Sequence, residues 1–172
     1  MSNGKLYDVA IAGGGLAGLS AAILLGKQGK RVVLFEKEKY PFHKVCGEYI
    51  SLESWQFLVS LGVPLTAWDL PVITRLSVSS PDGTELNQQL PLGGFGVSRY
   101  RIDDELKNIA KQNNVELMQE TRVQEIDFNG NAFAITTDKG EWTSLVCCSG
   151  AGKRSNLDVN GNVNLHSRKL VR

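Results

Sequence analysis

The chain has 172 residues, of which 42% are hydrophobic and 22% are charged, a composition that suits one ordinary globular core and little more. The formal net charge of +1 and the lack of a dense Lys and Arg run argue against a nucleic-acid partner. No apolar stretch is long enough to span a bilayer, and residues 1–7 lack the pattern of a secretory signal. We therefore predict a cytoplasmic location, with peripheral membrane contact left open.

Residues 6–37 predict a strand, a helix and a second strand. The apolar run at residues 7–12 predicts a buried strand that enters a tight turn at three consecutive glycines. A helix from Leu16 to Lys27 follows, and its predicted apolar face consists of Leu16, Leu19, Ile23 and Leu24. After Gly29 ends the helix, residues 31–37 predict the second buried strand. This order is typical of a right-handed crossover unit.

In the middle of the chain, the sequence pattern predicts that the alternation of strand and helix is interrupted. Residues 39–50 have no clean period and are interpreted as a loop, and residues 52–61 carry a helical apolar stripe. Two strands at 73–79 and 84–90 are separated by a Pro-Asp-Gly turn signal. We interpret the segment 71–98 as the start of an antiparallel substrate domain.

The second half predicts a helix at residues 102–113, a short strand and an antiparallel meander. The meander consists of three strand-like segments joined by Asn-Gly-Asn and Asp-Lys-Gly turns, at 122–128, 132–137 and 143–148. Residues 159–172 are polar and are interpreted as a frayed tail. The predicted fold is α/β, with a Rossmann-like unit in a discontinuous domain that covers residues 1–70 and 99–158.

A glycine motif lies between the first predicted strand and the first predicted helix. Gly13 permits the tight turn, Gly15 lets the backbone approach a pyrophosphate, and Gly18 allows the helix to pack close to the strand. The first helical residues, Leu16 and Ala17, would add unpaired N–H donors and the positive end of the helix dipole. These five positions are predicted to contact a dinucleotide.

Glu36 ends the second predicted strand, at the distance after Gly18 where an acid hydrogen-bonds the ribose hydroxyls of a dinucleotide. Its charge would also repel a 2′-phosphate. Lys37, the next residue, is predicted to lie beside the same ligand. The alternative is a glycine-rich turn followed by a surface glutamate, but the strand, the glycines, the helix and the acid all occur in the order that a nucleotide site requires.

The chain then departs from the alternating pattern of a nicotinamide dehydrogenase, because it continues into a hairpin and a meander. In this respect it resembles the FAD-binding fold shared by aromatic hydroxylases, flavin halogenases and geranylgeranyl reductases. The resemblance extends from Leu6 to about Leu157. It implies FAD as the cofactor.

Two motifs strengthen the resemblance. KVCGE at residues 44–48 is similar to a loop near the flavin in geranylgeranyl reductases, which makes Cys46 and Glu48 candidate catalytic residues. The alternatives are a small buried apolar thiol for Cys46 and a solvated loop carboxylate for Glu48. SRYRID at residues 98–103 resembles an element in which Arg99 would approach the cofactor's phosphate or ribityl region.

In an extended segment, Arg99 and Arg101 would lie on the same side, and at least one of the two could be a surface charge.

A third motif, GKRS at residues 152–155, resembles one that follows the meander in this superfamily and implies cofactor contacts from Gly152 and, at the start of the meander, from Val123. Ala151 replaces the aspartate of the family pattern, which weakens the match. The later Gly-Asp element that closes the flavin site has no counterpart after Ser155, so the chain is predicted to be truncated. Whether it retains FAD by itself is left open.

The remaining candidate groups favour structural interpretations. Cys147 and Cys148 end a predicted strand and point to opposite sides of it, which favours reduced thiols over a vicinal disulfide. His43 and His166 lack the partner spacing of a metal site. We predict no bound metal.

The resemblance implies an FAD-dependent reductase of the geranylgeranyl reductase type. Electrons from NADH or NADPH would pass through the flavin to an alkene of a hydrophobic, isoprenoid substrate. An FAD monooxygenase or flavin halogenase acting on an aromatic substrate is the first alternative, which the KVCGE loop disfavours. The second is a nucleotide-binding fragment without activity, which the missing Gly-Asp element favours. The oligomeric state is left open.

Overall fold

The computed structural model describes residues 2–150, 152 and 163–164. In chain order, the strands are β1 (Ser2–Ala12), β2 (Val32–Phe35), β3 (Tyr49–Ser51), β4 (Val72–Ser79), β5 (Glu85–Gly96), β6 (Glu116–Met118), β7 (Val123–Phe128), β8 (Phe133–Thr137), β9 (Gly140–Ser149) and β10 (Val163–Asn164). The helices are α1 (Leu16–Lys27), α2 (Trp55–Leu61) and α3 (Arg99–Gln112).

The chain forms two compact units. The first contains residues 1–42 and 103–172, and the second contains residues 43–102. The predicted insertion at 71–98 lies inside the second unit, and the domain boundaries proposed from the sequence stay a prediction. In the part of the chain that the structure describes, no helix combines the length and the apolar character that crossing a membrane requires.

The first unit is built on a seven-stranded sheet in the order β10-β7-β8-β9-β1-β2-β6. β1 pairs in parallel with β2 and with β9, and β2 pairs in parallel with β6. β7, β8 and β9 form the predicted antiparallel meander. Together with the antiparallel sheet of the second unit, this arrangement confirms the predicted α/β fold class.

The meander contributes an apolar cluster to the core of the first unit. Val33 and Phe35 from β2 pack in one cluster with Ile135 and Trp142 from the meander. The rings of Phe35 and Trp142 meet edge to face, with centroids 5.1 Å apart. Burial of side chains of this size contributes about 1.5–3 kcal/mol each, and the edge-to-face geometry adds to that. The meander therefore contributes buried side chains to the core of the first unit.

Helix α1 buries Leu19 and Ile23 of the predicted face, but Leu16 is only half-buried and Leu24 is exposed. Leu19, Ala22 and Ile23 are fully buried, whereas Leu24 is 41% exposed. Spacings of three and four residues place those three side chains on one stripe, and Leu24 lies about 100° further round the helix. The stripe continues to Gly26, where a Cβ atom would lie 2.6 Å from the carbonyl oxygen of Asn113.

Helix α3 begins at Arg99, three residues earlier than the sequence predicted. The carbonyl of Ser98 accepts hydrogen bonds from the N–H groups of Arg101 and Ile102, and its hydroxyl oxygen lies 3.3 Å from the Arg101 nitrogen. Serine is a favoured N-cap residue, which explains the early start. The prediction that Arg99 and Arg101 share one side of an extended segment is therefore wrong. Residues two positions apart in a helix are rotated by about 200° around the helix axis, so the two side chains lie on different faces.

The second unit contains a three-stranded sheet in the order β3-β5-β4. Strand β3 and the extension of β5 to Gly96 fall where the sequence predicted no strand. Trp55 packs edge to face on the buried ring of Phe95, with centroids 5.0 Å apart. At the predicted turn between β4 and β5, Gly83 adopts a φ of 86° and Asp82 accepts the Thr84 N–H. The turn residues were thus correctly identified.

The segment 159–172, predicted to be a frayed tail, contains strand β10, which pairs in parallel with β7. A two-residue edge strand carries no periodicity that a sequence pattern could detect. The rest of that segment lies outside the described residues.

Candidate nucleotide-binding site

The glycine turn follows β1 and is hydrogen-bonded on both sides. Gly13, with a φ of 111°, donates its N–H to the Phe35 carbonyl at 2.8 Å. On the other side, Gly150 donates to the Ala12 carbonyl at 2.8 Å. A positive φ of this size strongly favours glycine. The turn thus leaves the sheet at the carboxyl end of β1, where ligands of open α/β sheets bind.

The predicted close approach of helix and turn is present. A Cβ atom on Gly18 would lie 2.0 Å from the Gly13 carbonyl oxygen and 3.4 Å from Ile11 Cγ2. Gly14, the middle of the three consecutive glycines, is confined by a side chain, because its Cβ would lie 2.0 Å from the Tyr40 hydroxyl oxygen. A side chain at position 18 would have to displace backbone, and one at position 14 would have to displace the tyrosine hydroxyl.

The start of α1 is suited to an anionic group. Gly15 is the N-cap residue, with a φ of −79° and a ψ of −174°, and it offers no side chain to cap the helix. The first turn contains no acidic residue, and the first helical bond runs from the Leu19 N–H to the Gly15 carbonyl at 2.9 Å. The N–H groups of Leu16 and Ala17 precede that bond and are donors that a diphosphate could use.

Glu36 follows β2, and only 6% of its surface is exposed. Its Oε2 accepts the Gly14 N–H at 3.1 Å, and its Oε1 accepts the Glu38 N–H at 3.1 Å. Carboxylate oxygens accept hydrogen bonds from hydroxyl donors as well as from N–H groups, and ribose recognition requires such acceptors. Lys37, beside it, is exposed.

Tyr40 belongs to the same site, although no sequence pattern predicted it there. Its hydroxyl donates to the Gly14 carbonyl, and its backbone N–H donates to Gln119 Oε1 at 3.0 Å. The side chain is 5% exposed. No local pattern signals this contact, because Tyr40 and Gly14 are 26 residues apart.

Three other predicted site residues are not part of the first unit. Cys46, Glu48 and Arg99 belong to the second unit, and their contact with a cofactor stays a prediction. Cys46 is exposed, which contradicts its interpretation as a buried apolar side chain. Glu48 is exposed as well, with a φ of 56°, and its carbonyl accepts the Val97 N–H at 2.9 Å.

Val123 and Gly152 stay predicted cofactor contacts too. Val123 is half-buried and packs against the apolar cluster of the first unit. Gly152 is exposed, with a φ of 75°. The departure from the family motif at Ala151 and the residues 153–155 of that motif lie outside the described residues.

The three cysteines are free thiols, as the sequence predicted. Burial raises the pKa of Cys147 to about 12 and also raises the pKa of Cys148. His43 stacks on the ring of Tyr100 at 4.7 Å, and His166 lies outside the described residues. Among the residues that are described, no cluster of His, Cys, Asp or Glu could hold a metal ion.

Comparison with known families connects this geometry to a cofactor. The profile of the FAD binding domain family matches residues 6–148, which cover the glycine turn, Glu36 and the meander. The chain belongs to the FAD binding domain family. Within this family of flavin-dependent oxidoreductases and monooxygenases, the geometry of the first unit fits a dinucleotide: side chains at positions 14 and 18 would collide with neighbouring atoms, the start of α1 offers N–H donors, and Glu36 places a carboxylate beside the turn.

Two curated relatives of this FAD-binding chain are reductases. It is 30% identical over 140 residues to digeranylgeranylglycerophospholipid reductase 1 of Methanosphaera stadtmanae, which covers 79% of this chain and 34% of the relative. It is 26% identical over 142 residues to the menaquinone reductase of Mycolicibacterium smegmatis, covering 77% of this chain and 34% of the relative. The chain thus spans about a third of the length of these relatives.

A solved structure with the same fold is that of p-nitrophenol 4-monooxygenase PnpA from Pseudomonas putida. The TM-score is 0.77 at 19% identity, and the match covers 92% of this chain and 44% of the other. At this identity the similarity concerns the fold. Together, the family match and the relatives confirm the predicted resemblance to FAD-dependent oxidoreductases.

Proposed function

We propose that this chain holds the ADP half of FAD in a flavin-dependent oxidoreductase. The observation that carries the proposal is the combination, within the first unit, of a turn without room for side chains and a buried carboxylate at the end of the next strand. A pyrophosphate would accept hydrogen bonds from the N–H groups of Gly15, Leu16 and Ala17. Glu36 would accept hydrogen bonds from the ribose hydroxyls, and its negative charge would repel a 2′-phosphate.

The proposal also covers the peripheral contacts predicted from the sequence. Lys37 is exposed beside Glu36, where its charge could meet a phosphate or ribose oxygen. Arg99 would contact the phosphate or ribityl region, as the superfamily resemblance implies, and Val123 and Gly152 would line the cofactor. The superfamily resemblance supports each of these roles.

For the reaction, we propose the reduction of an alkene in a hydrophobic, isoprenoid substrate in the cytoplasm. FAD, when bound, would carry two electrons from NADH or NADPH to the substrate. The alkene gains one hydride equivalent and one proton, so that two C–H bonds form as the π bond breaks. The names of the two relatives, a digeranylgeranyl lipid reductase and a menaquinone reductase, support this direction.

Cys46 and Glu48 are the candidates for the proton-handling groups of that reaction. Both are exposed, and they lie two residues apart in the loop that resembles the flavin-side loop of geranylgeranyl reductases. A carboxyl group in such a position would hold a proton for the second carbon of the alkene. If the FAD-loaded chain reduces the alkene, the variants Cys46→Ser and Glu48→Gln would show which of the two residues supplies the proton.

The alternative activity is oxygenation or halogenation of an aromatic substrate. The fold shared with p-nitrophenol 4-monooxygenase supports it. The two activities differ in their need for oxygen: an alkene reductase works without it, whereas a monooxygenase or flavin halogenase consumes it.

The binding proposal is tested by loading the purified chain with FAD, desalting it and recording the visible spectrum. We expect flavin absorption to remain with the wild-type chain and to be lost in a Gly15→Ala, Glu36→Ala double variant. ADP titration calorimetry provides a second measurement that does not depend on the flavin ring. A chain that retains neither FAD nor ADP would contradict the proposal.

The reaction is tested with the FAD-loaded chain and NADPH, in one case without oxygen and with a geranylgeranyl lipid, and in the other with oxygen and p-nitrophenol. Mass spectrometry detects the gain of one H₂ per reduced double bond or the gain of oxygen. The first product supports the reductase, and the second supports the monooxygenase. If FAD is bound and neither product forms, the chain is a nucleotide-binding module without these activities.

A further inference from the structure

Both polar backbone groups of Gly14 are engaged by side chains. Its N–H donates to Glu36 Oε2 at 3.1 Å, and its carbonyl accepts the hydroxyl of Tyr40. Both side chains are buried, with exposures of 6% for Glu36 and 5% for Tyr40. The middle of the glycine turn is therefore held by two buried polar contacts and does not rely on its own backbone geometry alone.

These contacts decide which backbone donors face a ligand. In a trans peptide group the C=O and N–H bonds point in opposite directions. Because the Gly14 carbonyl is turned toward Tyr40, the N–H of Gly15, which belongs to the same peptide group, points to the other side. The Gly14 N–H is already occupied by Glu36, so the donors left for a diphosphate begin at Gly15.

Tyr40 is itself held in place by the first unit. Its backbone N–H donates to Gln119 Oε1 at 3.0 Å, and the ring of Phe42 lies 5.4 Å from its own ring. Nearby, the Thr121 N–H donates to the Glu36 carbonyl at 2.9 Å. The two residues that hold Gly14 are thus anchored to the same connection, residues 119–121.

The fit between Tyr40 and Gly14 is also steric. A Cβ atom on Gly14 would lie 2.0 Å from the Tyr40 hydroxyl oxygen, 3.0 Å from Glu36 Cβ and 3.1 Å from Leu34 Cδ2. The hydroxyl is the nearest of these obstacles by about an ångström. A side chain at position 14 would therefore first displace the tyrosine hydroxyl and break its hydrogen bond.

We propose that Tyr40 is a positioning residue of the dinucleotide site: its hydroxyl holds the peptide group between Gly14 and Gly15 so that the Gly15 N–H is presented to the pyrophosphate. This inference rests on the proposed function, and it adds a residue that acts through the turn and does not touch the ligand. It also assigns the Gly14 N–H to Glu36 in place of the phosphate.

The test compares two ligands that differ in phosphate content, ADP and adenosine, on the wild-type chain and on Tyr40→Phe. Loss of one such hydrogen bond should weaken ADP binding by roughly fivefold to tenfold. Adenosine, which lacks the diphosphate, should bind both proteins equally by NMR titration. The ratio of the ADP affinity to the adenosine affinity therefore falls, whereas a general loosening of the fold would weaken both ligands together.

Tyr49→Phe is the matched control. The Tyr49 hydroxyl also donates to a glycine carbonyl, that of Gly93 at 3.0 Å, but in the second unit. It should leave the ratio of the ADP affinity to the adenosine affinity unchanged. A fall in the ratio of similar size in both variants would overturn the proposal.

A double-variant cycle tests the steric coupling. Gly14→Ala should weaken ADP binding strongly in the wild-type chain and less strongly in the Tyr40→Phe background, because the nearest obstacle to the new methyl group is then absent. Equal losses in the two backgrounds would contradict the proposal.

A measurement on the wild-type chain alone avoids any dependence on variant folding. In the free protein the Gly14 amide should exchange its hydrogen more slowly than the Gly15 amide, and ADP should slow the exchange of Gly15. Equal exchange of the two amides before and after ADP addition would overturn the inference. If the wild-type chain binds ADP but the Tyr40→Phe affinity ratio is unchanged, only this inference fails; if the wild-type chain binds neither ADP nor FAD, the proposed function fails with it.

Discussion

The Gly13 carbonyl oxygen lies 2.0 Å from the position that a Cβ atom of Gly18 would occupy. Real Cβ atoms do not approach a backbone oxygen so closely, so any side chain at position 18 must move the helix away from the turn. We expect Gly18→Ala to abolish ADP and FAD binding and to lower the free energy of unfolding by about 1–3 kcal/mol. Chemical denaturation and ADP calorimetry measure the two effects.

Gly47→Ala is the matched control for that substitution, since a Cβ atom on Gly47 would meet no atom within 4 Å. It lies in the second unit, and ADP lacks the flavin ring, so ADP affinity should be unchanged. Wild-type ADP affinity in Gly18→Ala would show that the helix and the turn do not need their close packing.

Glu36→Gln should destabilise the nucleotide site and reduce its discrimination against a ribose that carries a 2′-phosphate. The substitution keeps the shape of the side chain but removes its charge, and the amide nitrogen that replaces one oxygen cannot accept a hydrogen bond, so one of the two bonds from the Gly14 and Glu38 N–H groups is lost. We expect the free energy of unfolding to fall by about 1–2 kcal/mol. The preference for 5′-AMP over adenosine 2′,5′-bisphosphate should narrow by roughly tenfold, because the repulsion of a 2′-phosphate is gone.

Competition binding with these two nucleotides checks the selectivity effect, and Glu38→Gln is the control. Glu38 is exposed, and it contributes its backbone N–H to Glu36, so its side chain should not affect selectivity. An unchanged preference for 5′-AMP in Glu36→Gln would show that Glu36 does not contact the ribose.

The surface pair of Asp8 and Arg31 should make stability depend on pH at the acid end. Hydrogen bonds from the Arg31 side chain and backbone lower the pKa of Asp8 to about 2. Asp8 Oδ2 accepts the Arg31 N–H at 2.7 Å, and Oδ1 lies 2.9 Å from Arg31 Nη2. Because the folded pKa lies below the unfolded value of about 3.9, the pair stabilises the fold above that value. The stabilisation is lost as the pH falls toward 2.

NMR titration of the Asp8 carboxyl checks this directly. In Arg31→Ala the Asp8 pKa should rise toward its ordinary value, and the free energy of unfolding should depend less on this group between about pH 4 and pH 2, because only the backbone N–H at position 31 still donates to Asp8. An Asp8 pKa that is unaffected by Arg31→Ala would show that the pair is not formed in solution.

The thiols should differ in their accessibility to alkylating reagents. Cys46 is exposed, Cys148 is half-buried, and Cys147 is buried with its pKa raised to about 12. Since the thiolate is the reactive form, Cys147 should stay unmodified by iodoacetamide at pH 8 until the protein unfolds, whereas Cys46 should react first. Peptide mass spectrometry after timed quenching gives the order, and alkylation of Cys147 in the folded protein as fast as that of Cys46 would contradict it.

Much of the candidate site follows from short-range patterns. The positions of the glycine turn, of α1 and of Glu36 were predicted because strand period, helix period and backbone freedom act over a few residues. By contrast, Leu24 was wrongly assigned to the buried face of α1. Its neighbours Ala22 and Gly26 are small residues, which give a weak apolar signal even where another part of the chain packs closely on them.

The sequence by itself determined the strand-turn-helix-strand unit, the meander turns and the acid at the end of β2, because each depends on local stereochemistry. Only the tertiary structure decided that Tyr40 reaches back to Gly14 and that Gln119 anchors it, because these contacts depend on how β1, β2 and β6 lie side by side. Sheet order and register bring together residues that are distant in the chain, and no periodicity in one segment specifies its partner in another.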